Sequence, residues 1–118
     1  PIVEPEVLMD GSHDIDKCFN ITTNVLNECY NELEIQKVDL KGTILKPNMI
    51  IPGSECKNKV NSNEIAKKTL DCLKKNVPND VPGIAFLSGG QSEIDSSKNL
   101  NETEGYSLVI EVIKIHSN

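Results

Sequence analysis

Three short segments recur along this chain at an even stride: Val-Glu-Pro-Glu at residues 3–6, Thr-Ile-Leu-Lys-Pro-Asn at 43–48 and Phe-Leu-Ser-Gly-Gly-Gln-Ser at 86–92. Glu4 and Lys46 are 42 residues apart, and so are Lys46 and Ser88. An interval of that length holds one strand, one helix and their loops, so the segments are expected at the ends of successive parallel strands. Strands that alternate with helices in this way make an α/β fold, either a doubly wound sheet or an arc of a (β/α)₈ barrel. In both, ligands sit at the carboxyl ends of the strands. No similarity of sequence accompanies the stride, which is therefore a repeat of architecture only.

The stretches between these segments fit that order. Residues 1–8 are β-like, with Pro5 confining them to a strand end or its exit. From residue 14 to about 36, apolar positions fall at Ile15, Cys18/Phe19, Thr22, Val25/Leu26, Cys29/Tyr30 and Leu33, the three-and-four spacing of an amphipathic helix. Asp14 and Asp16 suit its positive N-terminal end. Residues 38–45 are expected to form a short strand that Lys46-Pro47 terminates, because the residue before proline is pushed out of helical conformations. Asn61 with Glu64 three residues later marks a helix start, and Ile65/Ala66, Thr69/Leu70 and Leu73 form its buried stripe to about residue 76. A strand is expected at 84–87 and a shorter helix from Ser92 to about 99. Residues 106–116, dense in Ile, Val and Leu, are expected to form a final strand.

Composition narrows the function classes. The chain has 118 residues, is 37% hydrophobic and 25% charged, and carries a net charge of −6. All 12 basic residues are lysines. Without arginine or a basic cluster, nucleic acid is not an expected partner. Neither a membrane span nor a basic-then-apolar leader is visible in the sequence, so a soluble, cytoplasmic protein is expected. Cys18, Cys29, Cys56 and Cys72 lack C-x-x-C spacing and read as reduced, mostly buried thiols. The Asn-x-Thr triplets at Asn20 and Asn101 would matter only in a secreted protein. His13 and His116 have no partner at catalytic spacing and read as structural or surface residues.

The strand-end segments carry more specific chemistry. A lysine beside a proline at a strand terminus is ordinarily a solvated surface group. Lys46, however, follows the apolar pair Ile44-Leu45 and is expected to share its face with two carboxylates. An imine-forming lysine must be brought from a pKa of ~10.4 toward ~7 to 8 by desolvation or nearby cations, and a buried strand end offers desolvation. Glu4 and Glu6, two apart on an extended segment, leave the same side, and their mutual repulsion is expected to raise at least one pKa. Solvent-facing acids on an exposed edge are the alternative. Ser88-Gly89-Gly90 before a helix start can present backbone N–H groups to an anion, although Gly-Gly is also a plain turn.

Pro1-Ile-Val-Glu-Pro-Glu6, Asp10-Gly-Ser-His-Asp14, Gly42-Thr-Ile-Leu-Lys-Pro-Asn-Met49, Pro52-Gly53, Val81-Pro-Gly83 and Phe86-Leu-Ser-Gly-Gly-Gln-Ser-Glu93, followed by Asn99-Leu-Asn101, closely resemble class I fructose-bisphosphate aldolase. The resemblance runs in order from residue 1 to about 101. It implies a partial TIM (β/α)₈ barrel in which this chain supplies roughly strands five to seven. By position, Lys46 matches the Schiff-base lysine, Glu4 the acid/base of carbinolamine dehydration and Glu6 the neighbour that tunes the site. Ser88, Gly89 and Gly90 match the loop that holds the C1 phosphate of a phosphorylated ketose. The implied reaction is reversible cleavage of fructose 1,6-bisphosphate to dihydroxyacetone phosphate and glyceraldehyde 3-phosphate in glycolysis, with no metal or other cofactor, and the complete protein is implied to be a homotetramer.

Three departures accompany the resemblance. The family's aspartate and its further lysines and arginine that contact substrate lie before this chain. Its Ser-Tyr-Gly-Arg motif has no counterpart in residues 102–118, which read as a divergent tail after an aldolase-like region at 1–101. Ser12 stands where the family usually has Asp. The chain is therefore expected to be a fragment that is inactive alone. The alternatives are a truncated non-catalytic homologue acting as an interaction or structural module, and an erroneous gene model.

Overall fold

The computed structural model describes the backbone of residues 1–87, 89–104 and 111–114, and side chains at 1–87 and 89–102. Within these residues four strands, β1 (Ile2–Val3), β2 (Ile44–Leu45), β3 (Gly83–Phe86) and β4 (Glu111–Lys114), alternate with helices α1 (Ile15–Ile35), α2 (Ser62–Asn76) and α3 (Glu93–Glu104). Every strand pair is parallel, and the order in the sheet is β1-β2-β3-β4. Strands that follow one another around the sheet without reversal are the topology of a barrel, whereas a doubly wound sheet reverses order at its switch point. The described strands show no such switch point, which fits an arc of a barrel. The final strand expected at 106–116 is seen at Glu111–Lys114, and the rest of that expectation lies outside the described residues.

Local chemistry accounts for the helix bounds. Asp14 accepts the N–H of Lys17 and caps α1, and Asn61 does the same for α2 by accepting the N–H of Glu64. The buried face of α1 is Ile15, Cys18, Thr22, Leu26 and Tyr30, spaced by three and four. Helix α3 runs past the expected end near residue 99, since no glycine or proline interrupts the chain from Ser92 to Glu104. The strand expected at 38–45 is shorter: Leu40–Gly42 forms a 3₁₀ turn, and only Ile44–Leu45 pairs. Asp39 accepts the N–H of Lys41 and the Thr43 hydroxyl donates to the Leu40 carbonyl, so local side-chain bonds displace the ladder there.

The core lies where the helices pack on the sheet. Leu26, Leu45, Ile50, Ile84 and Phe86 are among its buried apolar members, with Cys72 and Leu73 from α2. All four residues of β3 are buried, the burial expected of an inner parallel strand. Helices α1 and α2 are joined by the Asn76 amide donating to the Thr23 hydroxyl at 3.1 Å and by the Lys68–Asp16 ion pair at 2.9 Å. The latter is substantially exposed and worth under ~1 kcal/mol. Among the described residues, no helix is long and apolar enough to cross a membrane.

Candidate active site

Because Val3 pairs with Leu45 and Leu45 with Ile84, the three strand exits open at one end of the sheet. The backbone pairing continues past the strands. Lys46 N–H donates to the Val3 carbonyl at 2.7 Å, and Leu87 N–H donates to the Pro47 carbonyl at 3.1 Å. Glu4, next after Val3, and Lys46, next after Leu45, are consequently lateral neighbours on adjacent chains roughly 5 Å apart. Their side chains meet: Lys46 Nζ lies 3.5 Å from Glu4 Oε1. The lysine side chain is 19% exposed and the glutamate 53%. Lys46 is thus mostly covered, while its carboxylate partner is open to water.

Glu6 is exposed and takes no part in an ion pair among the described residues. From Ile2 to Asp10 exposure alternates strictly, with Val3, Pro5, Val7 and Met9 half-buried. Glu4 and Glu6 therefore leave one side of an extended segment although β1 itself stops at Val3.

Gly89 and Gly90, at φ +61 and +90, make the turn between β3 and α3. Both angles lie where a side chain is strained. A Cβ on Gly90 would also stand 2.8 Å from the Met9 sulfur, so the turn lies against the loop that follows β1. Ser92 closes it by accepting the N–H of Asp95 and capping α3. Ser88, the third member of the expected phosphate loop, lies outside the described residues. A cavity of about 410 Å³ opens beside this turn, lined by Gly90, Gln91, Ile51, Lys59 and Lys98. Neither Lys46 nor Glu4 lines it.

One residue of the strand-end segments carries a role the sequence did not reveal. Asn48 is 5% exposed, and its carboxamide is bonded to both neighbouring stretches of chain. The available signal was a carboxamide two residues past a buried strand, where a polar group demands partners. Behind the site, burial pushes the Cys18 and Cys72 thiols up from their ordinary value. They stay protonated at neutral pH and are poor nucleophiles.

Sequential parallel β/α units with a lysine and a carboxylate at adjoining strand ends define a protein of the (β/α)₈-barrel class. The chain belongs to the class I fructose-bisphosphate aldolase family: the family model "Fructose-bisphosphate aldolase class-I" matches residues 1–111. It is 54% identical over 101 residues to the cytosolic fructose-bisphosphate aldolase 4 of Arabidopsis thaliana, covering 86% of this chain and 26% of that protein. It is 48% identical over 101 residues to a probable class 1 fructose-bisphosphate aldolase of Xylella fastidiosa, covering 86% of this chain and 30% of that one. A solved fructose-bisphosphate aldolase from Plasmodium falciparum, crystallised in complex with TRAP and a small-molecule inhibitor, superposes with a TM-score of 0.95 at 39% identity, over 98% of this chain and 34% of that chain. The chain spans about a quarter to a third of the length of these relatives.

Proposed function

We propose that this chain carries the imine-forming part of a class I fructose-bisphosphate aldolase site, with Lys46 as nucleophile, Glu4 as its acid/base, Glu6 as tuning neighbour and Ser88, Gly89 and Gly90 as the phosphate loop. The observation that carries the reading is the 3.5 Å approach of the Lys46 amine and the Glu4 carboxylate at adjoining strand ends, in a chain of this family. In the forward direction the neutral amine attacks the ketose C2, and a C–N bond forms as the carbonyl oxygen takes a proton. Glu4, in its carboxylic acid form, protonates that hydroxyl, which leaves as water. The resulting iminium draws the electrons of the C3–C4 bond toward nitrogen while a base takes the C4 hydroxyl proton, releasing glyceraldehyde 3-phosphate. Protonation at C3 and addition of water then free dihydroxyacetone phosphate and restore the amine. The chemistry is covalent catalysis with a general acid.

Closing a (β/α)₈ barrel takes at least ~200 residues, so imine formation is expected of the 118-residue chain and turnover only alongside further barrel strands. Assembly of the complete protein as a homotetramer, and location in the cytosol as for the Arabidopsis relative, belong to the same reading. A chloroplastic relative from Chlamydomonas reinhardtii, 50% identical over 101 residues, makes cell fractionation the direct check on location. Residues 102–118 are assigned to a divergent tail on the same terms.

Borohydride reduction in the presence of dihydroxyacetone phosphate tests the assignment. The expected result is a covalent adduct at Lys46 by peptide mass mapping, absent in Lys46→Met, and slowed by about 10² or more in Glu4→Gln, the usual scale of a general acid. A folded chain that gives no adduct would overturn it in favour of a non-catalytic module.

A further inference from the structure

Asn48 is buried at 5% exposure, two residues beyond Lys46. A carboxamide there has an acceptor oxygen and two N–H donors to satisfy. Its Oδ1 accepts the N–H of Val7 at 3.1 Å, and its Nδ2 donates to the Met49 carbonyl at 3.0 Å and to the Thr22 hydroxyl at 3.4 Å. Two of the partners leave no choice of orientation, because a backbone N–H only donates and a carbonyl only accepts. One side chain therefore joins three pieces of chain: the segment leaving β1, helix α1 and the segment leaving β2.

The first of those pieces carries Glu4 and Glu6. Among the described residues, the Val7–Asn48 bond is the only hydrogen bond made by the backbone of residues 4–8. At its upstream end the segment is held by the Val3 carbonyl, which accepts from Lys46, and at its downstream end by the Met9 carbonyl, which accepts from Ser54. Between these anchors lie two exposed glutamates on an extended backbone. Without the tie at Val7, the segment would be free to bow away from the sheet and carry the carboxylates with it.

We propose that Asn48 is a positioning residue, which sets the distance between the Glu4 carboxylate and the Lys46 amine by pinning the backbone at Val7. The catalytic consequence rests on the reading of Lys46 as the imine-forming amine, while the positioning itself does not. Misplacement by about 1 Å at a reacting centre costs on the order of 10²-fold in rate. That makes a tie remote from the reacting atoms worth keeping in a buried position.

The test compares Asn48→Ala, which loses every bond, with Thr22→Val, which loses a buried bond to Asn48 but leaves the Val7 tie. Two readouts are independent of any reaction. The first is the Glu4–Lys46 separation, 3.5 Å between the amine and the carboxylate in the parent, followed by the NOEs between the two side chains. These NOEs are expected in the parent and in Thr22→Val and are expected to be lost in Asn48→Ala as the two side chains separate. The second is exchange of the Val7 amide, expected to quicken about tenfold in Asn48→Ala with the α2 amides unchanged.

The third readout is the rate of borohydride trapping with dihydroxyacetone phosphate. It is expected to fall about tenfold or more in Asn48→Ala while reductive methylation of Lys46 by formaldehyde is unaffected. Should Asn48→Ala fail to fold, Val7→Pro deletes the same bond from the half-buried loop, and the first and third readouts are expected to change in the same way, proline having no amide for the second. Glu4–Lys46 NOEs at parent strength in the folded variant overturn the positioning role, as does trapping at the parent rate. A parent chain that shows the Glu4–Lys46 NOEs but gives no adduct overturns the aldolase assignment and leaves Asn48 in its role.

Discussion

At the scale of single residues, burial decides which groups can titrate and which can react. Tyr30 is 7% exposed, and its hydroxyl has no hydrogen-bond partner among the described residues. A buried hydroxyl in that state costs about 1–3 kcal/mol. Tyr30→Phe is therefore expected to raise the urea midpoint, by about 1 kcal/mol of stability after the lost van der Waals contact is counted, and a loss of similar size would show that the hydroxyl is satisfied after all. The same burial drives a pH dependence. Desolvation pushes the Cys18 and Cys72 thiols above their ordinary 9.0 and the Tyr30 phenol above its ordinary 10.0.

For each of these groups the folded chain holds its proton to higher pH than the unfolded chain does. The stabilisation is complete below about pH 9, and declines above it as the unfolded thiols, and then the phenol, ionise first. Urea unfolding at pH 8 and pH 10 should show the fall. Cys72→Ala, although less stable throughout, should show a shallower one.

Among the elements, α1 shows how local signals are read and where they stop. Its apolar spacing and its acidic start at Asp14 were legible because both act within a few residues of one another, while the structure shows Asp14 to be the cap itself. Its C-terminus was less so. Val38 N–H donates to the Leu33 carbonyl and Lys37 N–H to that of Glu34, each at 3.0 Å, which is a Schellman cap with Lys37 in the left-handed position at φ 58. Glycine normally fills that place, since a side chain there costs about 1–2 kcal/mol. Lys37→Gly is accordingly expected to stabilise the chain by up to ~1 kcal/mol, seen as a melting temperature a few degrees higher; a lower one would mean that the Lys37 side chain holds the cap. The 3₁₀ turn at Leu40–Gly42 escaped the sequence for a related reason. β-favouring residues lie on both sides of it, Val38 before and Thr43-Ile44 after, and the bonds that bend it come from Asp39 and Thr43 side chains, whose partners periodicity does not report.

The strand-end segments were legible as a group because their 42-residue stride and their wording both point to one face of a parallel sheet. Asn48 was not, although it stands in the Lys-Pro-Asn motif. Its partners Val7 and Thr22 are 41 and 26 residues away in sequence, and nothing local marks either as its partner.

For the whole molecule, the governing fact is that the described sheet is an open arc. Among the described residues β1 has β2 as its only neighbour, so one side of the Ile2–Val3 strand presents backbone groups that no described strand pairs. The strand and the segment leaving it carry exposed apolar side chains, Ile2 at 59% and Leu8 at 62%. An open parallel edge flanked by apolar side chains is a template for pairing with another chain. The net charge of −6 opposes such contact, but charge repulsion between exposed groups is screened within ~8 Å at physiological salt. Raising the salt should therefore favour association.

The 118-residue chain is expected to sediment as a mixture of species whose mean mass rises with concentration and with sodium chloride from ~0.02 to ~0.3 M. Ile2→Lys places a charge on the open edge, a device natural sheets use against pairing. It should return the chain to a single monomeric species without moving its unfolding midpoint by more than about 0.5 kcal/mol, because Ile2 is already exposed. A parent chain that stays monomeric at every concentration and salt would show that its edge is already covered. Association that persists unchanged in Ile2→Lys would place the contact elsewhere, with the exposed Ile35 at the end of α1 and Ile94 at the start of α3 as the next surfaces to alter.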